Sequence, residues 1–208
     1  MAQTLSGELE RHQPIAIVRL KHLESALELS QALLAGGITA LEFTLTNSRA
    51  LEAITRVRQE LAGQVMVGAG TILSAESAYQ SIEAGAQFLV TPVFLPDVIT
   101  LARAHGIPVI CGAYSPTEIF SAWKAGANLI KVFPAGGPGP TYIKDLLGPF
   151  PELRLVPTGG VNLNNCAAFL AAGAYSVGLG SSLIDETIIQ AEDWNTLTAR
   201  AQQYRDAC

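Results

Sequence analysis

The sequence predicts an α/β fold in which a single domain, residues 1–208, forms a closed (β/α)8 TIM barrel with a short helix at the N-terminus. Three observations predict it. Eight short β-rich runs alternate with helical patterns, the order that parallel βα units impose. An Ala-Gly beat recurs as Leu-Ala-Gly-Gly at Gly36, Glu-Ala-Gly-Ala at Gly85, Lys-Ala-Gly-Ala at Gly126 and Ala-Ala-Gly-Ala at Gly173, at intervals of 49, 41 and 47 residues. Each falls after a helical pattern and before a strand, where glycine takes the left-handed conformation that closes a helix. The period is therefore two βα units, and four periods make eight strands. A length of 208 residues is enough for one large core, and an open doubly wound sheet rarely keeps so even a beat.

The elements follow in order. Ile15–Arg19 is an apolar run ending in arginine, and in Leu23–Leu34 the apolar residues recur at three and four positions, as an outer helix requires. Ala40–Thr46 alternates with period two and precedes a helical Ala50–Leu61. Val65–Ala69 runs into Gly68-Ala69-Gly70-Thr71 ahead of Ala75–Ala84, and Phe88–Thr91 ends at Thr91-Pro92 ahead of Pro96–Ala104. Pro108–Cys111 and Asn128–Phe133 are strands five and six. Arg154–Pro157 leads through Thr158-Gly159-Gly160-Val161 to a helical Leu163–Ala172, and Ser176–Leu179 leads into Gly180-Ser181-Ser182.

Composition bounds the function. Hydrophobic residues make up 49% and charged residues 15%, a globular profile without a disordered tail. A net charge of −5 argues against a nucleic-acid or anionic-membrane surface, yet a local pocket of backbone N–H groups can still bind phosphate. The first thirteen residues lack the apolar stretch of a secretory signal, and no run approaches membrane-spanning length. Cys111, Cys166 and Cys208 are spaced for neither a disulfide framework nor zinc, and His12, His22 and His105 are not grouped. The expectation is a cytoplasmic protein without a metal or another cofactor. His22, close in sequence to Arg19, is the one histidine that could line a pocket there.

The chemistry starts at Lys131, a lone charge in the apolar run Asn128-Leu129-Ile130-Lys131-Val132-Phe133-Pro134. Taking an ammonium out of water costs several kcal/mol unless it is paired or loses its proton, so a strand lysine of this kind is retained for chemistry. The free amine attacks carbonyls. The plain alternative is a strand-end lysine with a buried stem and a solvated head. Alternation places Leu41, Phe43 and Leu45 toward the helices and Glu42, Thr44 and Thr46 inside the barrel. The same logic turns Lys131 inward with Leu129 and Phe133. Sites in this fold gather at the C-terminal ends of the strands, and the loops after strands seven and eight are its usual phosphate site. Arg19, the Gly-Ala-Gly-Thr end of strand three, Pro92 and the two glycine loops all lie at that rim. A buried amine, a carboxylate, an arginine and a phosphate cradle suggest Schiff-base chemistry on a small phosphorylated keto acid.

These residues carry a resemblance. From about Pro14 to Ile184 the chain is similar to the class I 2-keto-3-deoxy-6-phosphogluconate (KDPG) aldolases. That family also holds the 4-hydroxy-2-oxoglutarate (KHG) and 2-keto-3-deoxy-6-phosphogalactonate aldolases. The markers are Ile17-Val18-Arg19, Leu41-Glu42-Phe43-Thr44, Gly68-Ala69-Gly70-Thr71, Thr91-Pro92, Lys131-Val132-Phe133-Pro134, Gly148-Pro149-Phe150, Pro157-Thr158-Gly159-Gly160-Val161 and Gly178-Leu179-Gly180-Ser181. The resemblance implies a metal-independent lyase of carbohydrate metabolism, in the Entner–Doudoroff route, that cleaves KDPG to pyruvate and glyceraldehyde 3-phosphate. Cleavage of KHG to pyruvate and glyoxylate would accompany it. It implies Lys131 as the Schiff-base residue and Glu42 as proton shuttle. Thr71 and Arg19 would hold the substrate carboxylate, Pro92 would shape the wall and Thr158 would lie by the substrate chain. Gly159, Gly160, Gly180 and Ser181 would bind phosphate. It also implies a homotrimer with no nucleic-acid or membrane partner. One position departs from the pattern: Thr46 stands where many family members carry an arginine, so the carboxylate-binding cation must come from elsewhere, and Arg19 is the candidate. Two other activities stay open at this point, a galactonate-epimer aldolase and, more remotely, a sugar-phosphate isomerase or epimerase.

Overall fold

The computed structural model describes residues 9–208. The expected N-terminal helix falls partly on residues 1–8, outside that range, and residues 9–14 form a turn with no helix. Strands and helices then alternate: β1 (Ile15–Val18), α1 (Ala26–Ala35), β2 (Ala40–Thr44), α2 (Ala50–Glu60), β3 (Met66–Gly70), α3 (Ala75–Glu83), β4 (Leu89–Val90) and α4 (Pro96–Ala104). The second half repeats the order: β5 (Val109–Ala113), α5 (Pro116–Lys124), β6 (Leu129–Val132), α6 (Gly139–Leu147), β7 (Leu155–Pro157), α7 (Cys166–Ala171), β8 (Gly178–Leu179), α8 (Glu186–Gln190) and α9 (Trp194–Ala207).

All eight strands are parallel, in the order β7-β6-β5-β4-β3-β2-β1-β8. The two ends of that order meet through a parallel bridge between Thr158 and Gly178 and a hydrogen bond from the Tyr175 N–H to the Leu155 carbonyl at 2.8 Å. The sheet is thus a nearly closed barrel whose thinnest seam lies between β7 and β8. Successive side chains fall on opposite faces of each strand. Leu41, Phe43, Ile130 and Val132 join Leu33, Ile54 and Phe169 in the core between barrel and helices. Ala40, Met66, Phe88, Ile110, Leu129 and Val156 fill the barrel itself, closed from below by Leu9.

The Ala-Gly beat has a specific backbone meaning. Gly37, Gly85, Gly126 and Gly173 take positive φ angles of 86°, 93°, 99° and 101°. After each, the next N–H bonds a carbonyl five residues back, as in Ile38 to Leu33 and Ala86 to Ser81, which satisfies the open end of the helix and turns the chain into a strand. The first repeat corrects the sequence reading by one residue: Gly36 is right-handed, with φ −79°, and the left-handed position is Gly37. Gly36 serves close packing instead, since a β-carbon there would collide with Ala201 of α9. α3 and α5 open on capping boxes, Ser74 with Ser77 and Ser115 with Glu118.

Candidate active site

Above its apolar floor the barrel is hollow at the C-terminal end of the strands. The inward positions Gly68 and Gly70 of β3, Gly112 of β5 and Gly178 of β8 carry no side chains, and every one of them has a neighbour where its β-carbon would be. The cavity that remains holds about 490 Å³. All ten residues singled out in the sequence line it.

Lys131 occupies the next-to-last position of β6, paired in register with Gly112 and Val156, and is 9% exposed. Its Nζ lies 3.7 Å from Glu42 Oε1 and 5.5 Å from the centroid of the Phe133 ring. Glu42 sits in the middle of β2 and is 2% exposed, and its Oε1 has no hydrogen-bond partner. Burial pushes the Glu42 carboxyl above the usual carboxylate range, opposed first by the charge of Lys131 and then by that of Arg19. A carboxylate this deep, ion-paired but short of hydrogen bonds, is poised to exchange protons with whatever enters beside the amine.

The rim supplies the remaining groups. Arg19 follows β1 at the exposed edge, near enough to act on Glu42 electrostatically. Thr71 follows β3 with φ 58°, a left-handed conformation that a β-branched residue takes only under constraint. Hydrogen bonds from Leu45 N–H to the Gly70 carbonyl and from Ile72 N–H to the Val90 carbonyl hold the backbone on both sides of it. The backbone of Pro92 fills the volume over Gly112 and walls the cavity. Thr44 donates to the Val18 carbonyl at 3.3 Å and its Oγ1 lies 2.8 Å from Thr46 Oγ1, so two hydroxyls occupy this part of the rim.

The loops after β7 and β8 form the opposite side. Thr158 is buried and its hydroxyl donates to the Val156 carbonyl at 3.3 Å. Gly159 and Gly160 both have φ of 80°, and a β-carbon on Gly160 would stand 2.6 Å from Gly136 Cα. Among the described residues, the backbone N–H groups of Gly159, Gly160, Ser181 and Ser182 donate to no protein acceptor. Free N–H groups on two adjacent loops make an anion-binding concavity.

Three residues of this region escaped the sequence reading. The side-chain amides of Asn165 and Asn162 donate to the Gly160 carbonyl at 2.9 and 3.3 Å, and Ser182 Oγ donates to the Val161 carbonyl at 2.8 Å, which ties the two loops together. The Asn-x-x-Asn spacing just before α7 was the available signal. His22 lies outside the cavity: its side chain is 77% exposed and stands 3.8 Å from the Glu24 carboxylate. Cys111 is buried, and burial pushes its thiol above the ordinary range, consistent with a packing role.

Comparisons with known proteins agree with one another. The family model for KDPG and KHG aldolase matches residues 6–200. A 2-dehydro-3-deoxy-phosphogluconate aldolase of Treponema pallidum (strain Nichols) is 41% identical over 201 residues, 96% of this chain and 95% of that protein. The KDPG aldolase of Legionella pneumophila, solved with pyruvate captured at low pH as a covalent carbinolamine intermediate, is 31% identical with a TM-score of 0.86, over 92% of this chain and 93% of that one. A native KDPGal structure is 30% identical with a TM-score of 0.87 over 93% of both chains.

Proposed function

The chain belongs to the KDPG and KHG aldolase family, and from that premise we propose that it is a class I aldolase cleaving 2-keto-3-deoxy-6-phosphogluconate to pyruvate and glyceraldehyde 3-phosphate, with KHG cleavage to pyruvate and glyoxylate as a second activity. The observation that carries this reading is the buried Lys131–Glu42 pair at 3.7 Å in one cavity with two N–H-lined loops. The Lys131 amine attacks C2 of the keto acid. Glu42 delivers the proton that lets water leave the carbinolamine, and the resulting iminium draws electrons from the C3–C4 bond. Glu42, again a base, takes the C4 hydroxyl proton as that bond breaks and the aldehyde departs. Protonation of the enamine at C3 and hydrolysis then release pyruvate and the free amine.

In this reading Thr71 and Arg19 hold the substrate carboxylate, Pro92 limits the wall, Thr158 meets the substrate chain, and Gly159, Gly160, Gly180 and Ser181 receive the phosphate. Pyruvate formation from KDPG, its galactonate epimer and KHG, followed through lactate dehydrogenase, tests it. KDPG is expected to show the highest kcat/KM, and a clear preference for the galactonate epimer would replace the substrate assignment. Arg19→Ala is expected to raise KM for KDPG about 10- to 100-fold, the cost of losing a charged hydrogen bond, with a smaller change in kcat. An unchanged KM would move the carboxylate away from Arg19.

We also propose that residues 1–208 act as one barrel domain, in the cytoplasm, as a homotrimer. No described helix is long and apolar enough to cross a membrane. Leu73, Val93 and Tyr114 are exposed large apolar residues on the loops after β3, β4 and β5, apolar surface of the kind that protein partners cover. Sedimentation equilibrium is expected to give the mass of three chains, and a monomer would contradict the assembly.

A further inference from the structure

Gly70 is a glycine for a reason its backbone does not supply. Its φ lies outside the left-handed range, unlike those of Gly85, Gly126 and Gly173, so any residue could adopt its conformation. What it lacks is space. A β-carbon at position 70 would lie 2.5 Å from Glu42 Cδ and 2.6 Å from Glu42 Cγ, and closer still to Oε1. The three nearest atoms all belong to Glu42.

The register explains why. Glu42 pairs with Gly68 on β3, and Thr44 pairs with Gly70. The Glu42 side chain therefore rises two positions along the barrel, diagonally across the neighbouring strand, before its carboxylate comes level with Lys131. The volume above residue 70 is where that side chain lies. Cα of Gly70 is the floor on which the carboxylate rests.

We propose that Gly70 is a positioning residue for the aldol reaction: the absence of its side chain lets the Glu42 carboxylate stand beside the Lys131 amine. A methyl group at 70 turns Glu42 away while leaving both the amine and the strand ladder in place. The inference rests on the reading of Glu42 as proton shuttle.

The experiment is a Gly70→Ala, Glu42→Gln double-mutant cycle on KDPG cleavage across pH, with a crystal structure of Gly70→Ala. Gly70→Ala alone is expected to lower kcat about 100-fold and to lose the acid limb of the pH profile, as Glu42→Gln does. In the Glu42→Gln background, where no carboxylate is left to displace, the same change is expected to cost less than about threefold. Equal losses in both backgrounds would overturn the proposal, because a purely structural role would be felt in both. The crystal structure is expected to show Glu42 farther from Lys131 than the present 3.7 Å, and an unmoved carboxylate would overturn the proposal whatever the kinetics. Should Glu42→Gln itself keep full activity, the reading of Glu42 fails while the crystal structure still decides the steric claim. If Gly70→Ala does not fold, Gly70→Ala/Glu42→Ala supplies the answer. It is expected to fold like Glu42→Ala, since the three atoms nearest that space all belong to Glu42, and its failure to do so would also overturn the proposal.

Discussion

Replacing Lys131 by alanine is expected to lower KDPG cleavage by about 10⁴-fold or more, the scale on which loss of an enzyme's nucleophile is felt. Steady-state assays by pyruvate release, with circular dichroism as the control for folding, check it. The loss is expected to be large because in the proposed mechanism the amine does two things that no neighbour can take over. It bonds C2, and as an iminium it receives the electron pair of the breaking C3–C4 bond. Lys131→Arg is expected to be as inactive as the alanine variant, because a guanidinium stays charged and offers no free amine. The fold should survive either change. Lys131 stands at the open end of the barrel, above the apolar floor of Leu129, Ile110 and Val156. The Glu42 carboxyl left behind already has its pKa raised by burial, so it can become neutral at modest cost. Activity near wild type in Lys131→Ala would remove the central residue from the account.

Glu42→Gln is the second largest expected effect, a fall in kcat of about 10²- to 10⁴-fold, the usual contribution of a positioned acid–base group. The amide keeps the shape and cannot move protons. The pH profile makes the prediction sharper. Burial raises the Glu42 pKa, so the pH at which the carboxylate is protonated lies above the ordinary carboxylate range. As pH falls through that value the base is lost, and the wild-type kcat/KM should decline on its acid side earlier than an exposed glutamate would dictate. Glu42→Gln should lack that limb. Bound substrate adds its own groups to the site, so the comparison belongs to kcat/KM, which reports the free enzyme. A variant with the acid limb intact would assign it to another residue.

How far the sequence reached can be judged from particular residues. Lys131 and Glu42 were legible because strand alternation is a property of consecutive residues, and a charge on the wrong face of an apolar run is conspicuous. The strand-ending glycine loops were legible because the fold itself assigns the ends of β7 and β8 to a ligand. The beat of Gly85, Gly126 and Gly173 was legible as a helix-ending signal, although Gly36 and Gly37 together hid which of the two carries the positive φ. What was hidden depends on neighbours distant in the chain. The positive φ of Thr71 is flanked by hydrogen bonds to Leu45, just after β2, and to Val90 of β4. The hydrogen bond from Ser182 Oγ to the Val161 carbonyl joins the loops after β7 and β8, 21 residues apart in sequence. In the sequence Gly70 is only part of the Gly-Ala-Gly-Thr end of strand three; the register of β2 against β3 puts the Glu42 carboxylate over it. The close approach of α9 to Gly36 likewise required the packed structure.

The central claim is that the Lys131 amine forms a covalent bond with the keto acid. Sodium borohydride reduction in the presence of pyruvate, followed by proteolysis and mass spectrometry, tests it most directly. The account predicts a reduced pyruvyl adduct on the peptide containing Lys131, with none in Lys131→Ala and with activity lost in proportion to labelling. An active enzyme that shows no adduct, or carries it on another lysine, would contradict it.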